Sequence, residues 1–264
     1  MILYKYVSLD AAKAIISNSS LGFSSIKSLN DPFEGSYFGF RETPNIPFEL
    51  SVGAVRNKLE ANYALLSLTR QPHNALMWAH YGASHSGVVI GIDVEKAGFT
   101  DLETNVIPVQ YGEVIYTSTK PHNMFELLSS SELMAVGKGA KFESSTYNLL
   151  KRAFLYKSLE WAYEEEVRVV KDISSTPYRS KTRYGGFENS SGTWNKIPLN
   201  QRALYCLDVP RNSVVSVHIG EKSKLSSDIL ENWELQGLKV YQCHADLRSW
   251  DIISSCKKSG QQSI

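Results

Sequence analysis

The stretch Lys157-Ser158-Leu159-Glu160-Trp161-Ala162-Tyr163-Glu164-Glu165-Glu166-Val167-Arg168-Val169-Val170-Lys171 decides how this chain is read, because two periodicities meet inside it. Upstream, from about Thr146, the residues Leu149, Leu150, Ala153, Phe154 and Lys157 recur every three or four positions, the spacing of one helix face. From Glu164 the period becomes two: Glu164, Glu166 and Arg168 alternate with Glu165, Val167 and Val169. Residues two apart on a strand share a face, so Glu164, Glu166 and Arg168 are expected to project together while Val167 and Val169 enter the core. Two carboxylates and a guanidinium in one row suit ribose hydroxyls or a developing cation. The same row also reads as an exposed strand face whose charges neutralise one another for little net gain.

Working outward, the chain alternates short strands and helices. Ile2 to Val7 reads as a strand, Ser8 caps a helix from Leu9 to Ser17, and Leu21 to Ser24 is a second strand. After a loop at Asn30-Asp31-Pro32-Phe33-Glu34-Gly35, Phe48 to Tyr63 reads as helix and Ala64 to Thr69 as strand. Asn74 caps a helix through Ala75, Leu76, Met77, Trp78 and His80, and Val88 to Ile92 is a continuous apolar run suited to a buried central strand. Val109 to Tyr116 is expected to be a strand and Pro121 to Glu160 mostly helical. Residues 173–198, rich in Ser, Thr, Gly and Tyr and carrying Arg179, Lys181 and Arg183, read as a long loop. Strands follow at Ala203 to Val209, Val214 to Ile219 and Leu238 to Cys243, with a helix from Ser226 to Gln236. The elements are mixed and close together, which points to one α+β domain over residues 1–256 and a frayed polar tail over 257–264.

The totals narrow the class. A hydrophobic share of 42% and an aromatic share of 11% supply a substantial core, and a net charge of +1 gives no general attraction to nucleic acid or anionic membrane. Cys206, Cys243 and Cys256, odd in number and widely spaced, argue against a disulfide framework and suit a reducing cytoplasm. No apolar run approaches a membrane span, and the N-terminus meets Lys5 too early for a signal peptide. Phosphate-loop, dinucleotide-fingerprint, nucleophile-elbow and Cys-x-x-Cys signatures are absent.

Two further clusters carry chemistry. Asp31 as N-cap, Pro32 at the first helical position and Glu34 at the third make a capping box, while Asn30 and Asp31 can equally present polar groups to a ligand. Trp78, His80, Tyr81 and His85 lead into the buried strand and could wall a planar heterocycle, or be a packed tryptophan with satisfied histidines. His80 and His85 are five apart, the wrong spacing for a helical zinc pair, so no metal is expected.

The set Leu3-Tyr4-Lys5-Tyr6, Leu29-Asn30-Asp31-Pro32-Phe33-Glu34, Leu66-Ser67-Leu68, Met77-Trp78-Ala79-His80-Tyr81, His85-Ser86-Gly87 and Lys157 with Trp161, Glu164, Glu166 and Arg168 resembles the bacterial family called domain of unknown function 2971. A remoter resemblance is to the ADP-ribosyltransferase fold, in the order strand, helix, strand, aromatic cluster, Glu-x-Glu strand. It implies an α+β fold with a central mixed, split β-sheet flanked by helices, and NAD as co-substrate. Carried over, Lys5 or Tyr6 takes the ribose-anchoring place on the first strand, where that superfamily has Arg or His, and Tyr81 or Trp78 stacks on nicotinamide. Glu166 becomes the catalytic acid and Glu164 its helper, with Asn30, Asp31, His80, His85 and Arg168 completing the NAD site. The resemblance further implies an unidentified macromolecular acceptor, protein or nucleic acid, and a toxin or defence effector that an antitoxin could restrain. A non-enzymatic nucleotide- or protein-binding module built from the same residues is the alternative.

Overall fold

A computed structural model describes residues 1–35, 48–120, 136–174, 185–199 and 202–256. One sheet runs through nearly all of them. In spatial order its strands are β13 (Ile252–Cys256), β12 (Lys239–Ala245), β11 (Val214–Ile219), β4 (Val88–Asp93), β1 (Ile2–Val7), β3 (Tyr63–Thr69), β2 (Ser20–Ser24), β10 (Arg202–Asp208), β9 (Gly192–Leu199) and β8 (Gly185–Asn189), with β7 (Glu166–Asp172) paired to β3 off this path. Pairing is antiparallel except between β11 and β12, which a helix connects, so the sheet is mixed. The helices are α1 (Leu9–Asn18), α2 (Phe48–Asn62), α3 (Ala75–His80), α4 (Ser144–Phe154) and α5 (Ser227–Leu235). Short strands β5 (Ile115–Thr117) and β6 (Tyr156–Ser158) form a separate parallel pair.

Alternation along β3 and β7 sorts the core into two bodies. Leu66, Leu68, Val167 and Val169 join a large cluster with Ala12, Ile15 and Ile16 of α1 and Trp233 of α5. Tyr63, Leu65 and Val170 point the other way, against Val55 and Leu59 of α2 and Leu149, Leu150, Ala153 and Phe154 of α4. Continuing along that second face, the next β3 residues are Ser67 and Thr69, paired with Arg168 and Glu166 of β7. Apolar packing therefore stops, and a polar region begins, at one register line of one sheet face.

At that line the sheet also opens. β7 takes the whole of one edge of β3, while on the other edge β1 meets β3 only at Tyr4–Thr69 and β2 only at Ser24–Leu65. Beyond these bridges β1 pairs with β4 and β2 with β10. Neither reaches Ser67, whose backbone carbonyl instead accepts a hydrogen bond from Lys5 Nζ at 3.3 Å. The lysine fills the place of a missing ladder bond, which a buried carbonyl would otherwise forfeit.

Several expectations need correction. The helix before the acidic stretch ends at Phe154, so Lys157 sits on β6 and residues 159–164 form a 3-10 turn rather than helix. Glu164 closes that turn, and the left-handed Glu165 (φ 43°) redirects the chain so that β7 starts only at Glu166. Val109 to Tyr111 is a 3-10 turn instead of a strand, and the residues flanking it, Val106, Ile107, Gly112 and Val114, bond to the free edge of β7. Within 173–198, Gly185 to Leu199 forms a β-hairpin, because Phe187 and Trp194 stack on each other and Trp194 packs edge-on against Phe23. Strand β13 was not expected at all. Arg179, Lys181 and Arg183, the tail 257–264 and most of the expected helix before Lys138 lie outside the described residues. No helix among the described residues is long and apolar enough to cross a membrane.

Candidate functional site: an ion network beside a split in the sheet

Where β1 and β2 part over β3, a cavity of about 170 Å³ opens, and Tyr4, Lys5 and Tyr6 of β1, the Asn30–Glu34 turn, Tyr81 and Glu166 all line it. Its floor is an ion network assembled from three places in the chain. Arg168 reaches Glu166 through Nε (2.8 Å) and Nη2 (2.9 Å), Glu34 through Nη2 (2.6 Å), and the Phe154 carbonyl through Nη1 (2.6 Å). Lys157 Nζ lies 3.2 Å from Glu166, 3.4 Å from Glu34 and 2.5 Å from Glu164. All five side chains are buried, Arg168 to 1% exposure. Seven of seven β7 residues are buried because β3 covers one edge of the strand and the 106–114 segment the other.

Burial raises the cost of each charge, and the number of opposite neighbours decides which carboxyl stays ionised. For Glu166 burial pushes the carboxyl up, but Arg168 and Lys157 together outweigh it and hold it well below the usual carboxylate range. For Glu34 and Glu164 burial wins and both are raised, although Arg168 draws Glu34 down and Lys157 draws Glu164 down. Lys157 loses to burial but gains more from Glu166 and Glu34, and remains firmly protonated. Lys5, desolvated with only Glu166 to support its charge, is lowered to about 8.

Facing the cavity, the Tyr81 hydroxyl donates to Glu164 Oε1 (2.6 Å) and accepts from Asn30 Nδ2 (3.1 Å). Asp31 is 4% exposed; its Oδ1 accepts from the Phe33 amide, while Oδ2 is buried without a hydrogen-bond partner. A buried carboxylate oxygen left open beside a cavity is a place where a ligand's hydroxyl or amino hydrogen would be received. The anticipated capping box is only half made: Asp31 holds its turn, but the Glu34 side chain turns away to the ion network.

Of the residues singled out in the sequence, Lys5, Tyr6, Asn30, Asp31, Tyr81, Glu164, Glu166 and Arg168 line this one cavity. Trp78 does not: it is 0% exposed, donates Nε1 to the Pro72 carbonyl and packs edge-on against Tyr6. His85 stacks on Trp78 away from the cavity, and His80 is exposed beside Tyr163. The Tyr6 hydroxyl is spent on structure, donating to the Gln71 carbonyl and accepting the Asn74 amide. Lys157, Trp161 and Glu34 also line the cavity, although the sequence pointed to no ligand role for Lys157 or Trp161 and to a capping role for Glu34. Their signal was weak because each sits in a different turn or short strand, and only the tertiary fold joins them.

No curated protein and no solved structure gives a match to this chain. Residues 77–169, which contain Tyr81, Lys157, Glu164, Glu166 and Arg168, match the family described as protein of unknown function, DUF2971.

Proposed function

We propose that the cavity is the active site of an NAD-consuming, ADP-ribosyltransferase-like enzyme that passes ADP-ribose to a macromolecular acceptor. The observation that carries this reading is a carboxylate, Glu166, kept ionised at the wall of a cavity that also holds Tyr81, Glu164 and the open Asp31 oxygen. When the bond from ribose to nicotinamide breaks, the electron pair leaves with nicotinamide and the ribosyl carbon becomes cationic. Fixed negative charge in a desolvated wall stabilises a cation that exists only in the transition state. The acceptor's lone pair then closes the new bond, and its proton passes to Glu164, whose raised affinity for protons suits a general base. Asp31 Oδ2 would receive a ribose hydroxyl. Tyr81 and Trp161 are aromatics that line the cavity and could meet a pyridinium face, as the buried Trp78 cannot.

One observation favours the alternative, a binding module: both Glu166 oxygens are already held by Arg168 and Lys157. Radiolabelled NAD incubated with the protein and a cell extract separates the two. The enzyme reading expects label on an acceptor, lost in Glu164→Gln when both proteins are assayed well below their melting temperatures, since removing a charge from the buried network also lowers stability. Saturable NAD binding without transfer would support the module, and neither binding nor transfer would remove NAD from the account.

A further inference from the structure

On the far side of β1 from the ion network, three side chains meet that lie far apart in the sequence. His73 sits in the segment between β3 and α3, His218 on β11 and Cys243 on the adjacent β12. One ligand atom from each lies within 4.8 Å of the others. Each imidazole also has a buried ring nitrogen with no hydrogen-bond partner, Nε2 of His73 and Nδ1 of His218, and His218 is only 5% exposed. Two unpartnered imidazole nitrogens are costly to bury, and two such rings gathered beside a buried thiol call for a common partner.

We propose that His73, His218 and Cys243 bind a divalent first-row transition metal, zinc in the first instance, with the fourth coordination position open. One thiolate and two imidazoles are a ligand set zinc accepts readily. Metal bonds of about 2.0–2.3 Å in a tetrahedral arrangement set ligand atoms roughly 3.5 Å apart, so closing from 4.8 Å needs only side-chain adjustment. Support around the ligands has the expected form. Ser216 Oγ lies 3.5 Å from His218 Nε2, which lets that nitrogen carry the hydrogen and leaves the Nδ1 lone pair for the metal. The serine hydroxyl has room because residue 91 is glycine: a Cβ there would stand 2.1 Å from Ser216 Oγ. Tyr241 stacks on the His218 ring at 4.7 Å and Tyr4 meets it edge-on at 5.6 Å, fixing its plane.

The expectation of no metal came from the spacing of His80 and His85, neither of which takes part. This cluster is invisible to spacing, because strand pairing between β11 and β12 and the turn before α3 create it. A bound metal would tie the 70–74 segment, which leads into Tyr81, to the sheet. The proposal stands independently of NAD chemistry.

The test is cobalt titration of the full chain, reduced and stripped of metal. One equivalent of Co²⁺ is expected to give a thiolate-to-cobalt charge-transfer band with tetrahedral visible bands, all bleached by Zn²⁺. Cys243→Ser should lose the charge-transfer band, and His73→Gln, at a half-buried position where folding is least at risk, should weaken Co²⁺ roughly tenfold or more. No band at one equivalent, or a band that survives Cys243→Ser, overturns the site. Should Cys243→Ser fail to fold, unchanged cobalt affinity in His73→Gln overturns it alone.

Discussion

Replacing Arg168 with methionine removes the centre of the buried network while keeping most of its apolar volume. Four donor contacts go: two to Glu166, one to Glu34 and one to the Phe154 carbonyl. Lys157 alone then faces three buried carboxylates. Breaking a buried pair by deleting one partner costs about 3–5 kcal/mol, because the other charge stays desolvated. The Phe154 carbonyl, left without this donor, adds about 1 kcal/mol. Against a total stability of roughly 5–15 kcal/mol this is a large fraction. With urea slopes of about 1–3 kcal/mol/M, the midpoint should fall by at least roughly 1 M. Pairing Arg168→Met with Glu166→Gln should restore much of the loss, since the stranded charge goes too. Urea unfolding of the two single variants and the double variant forms the cycle. A loss below about 1 kcal/mol for Arg168→Met would mean that the network behaves like a solvated surface pair, and the reasoning about burial would be wrong.

Other outcomes follow from the same geometry. Gly112→Ala would bring a Cβ to 1.8 Å from the Arg168 carbonyl, so it should destabilise by roughly 3 kcal/mol or more and loosen β7, measured by amide exchange along Glu166–Asp172. Glu166, held below its ordinary range in the fold, contributes stability above the unfolded-state value that is lost as pH falls through its folded pKa, so part of the acid sensitivity should vanish in Glu166→Gln. Glu34 and Glu164 act in the opposite sense: their raised values withdraw stability as pH rises from the unfolded value toward the folded one. Lys5, lowered to about 8, should make stability rise with pH between about 8 and its unfolded pKa near 10.5, and Lys5→Met should reduce that rise in a pH series of melts, leaving the part that Lys171, also lowered to about 8 by burial, supplies.

Much of the framework was legible from periodicity. β1, α1, β2, β3, α3, β4, β11 and α5 stand within a residue or two of where alternation and capping put them. The acidic stretch was read correctly as to convergence and incorrectly as to backbone. Glu164, Glu166 and Arg168 do meet, but through a 3-10 turn and a left-handed Glu165, not along one strand. The hairpin at Gly185–Leu199 escaped because its register is held by Trp194 against Phe23, a contact no local window contains. Trp78 and Tyr81 show the same limit: three residues apart on one short segment, one is sealed in the core and the other opens to the cavity. Glu34 looked like a capping residue because local sequence offers it that partner, whereas Arg168 and Lys157, more than a hundred residues away, hold it instead.

Nicotinamide release from NAD, followed by chromatography with and without cell extract, tests the proposal that the cavity beside Glu166 consumes NAD. Wild type is expected to release nicotinamide, and Glu166→Gln, assayed well below its melting temperature, to fall by roughly a hundredfold or more. Equal release from both proteins, or none from wild type under any acceptor condition, would contradict it.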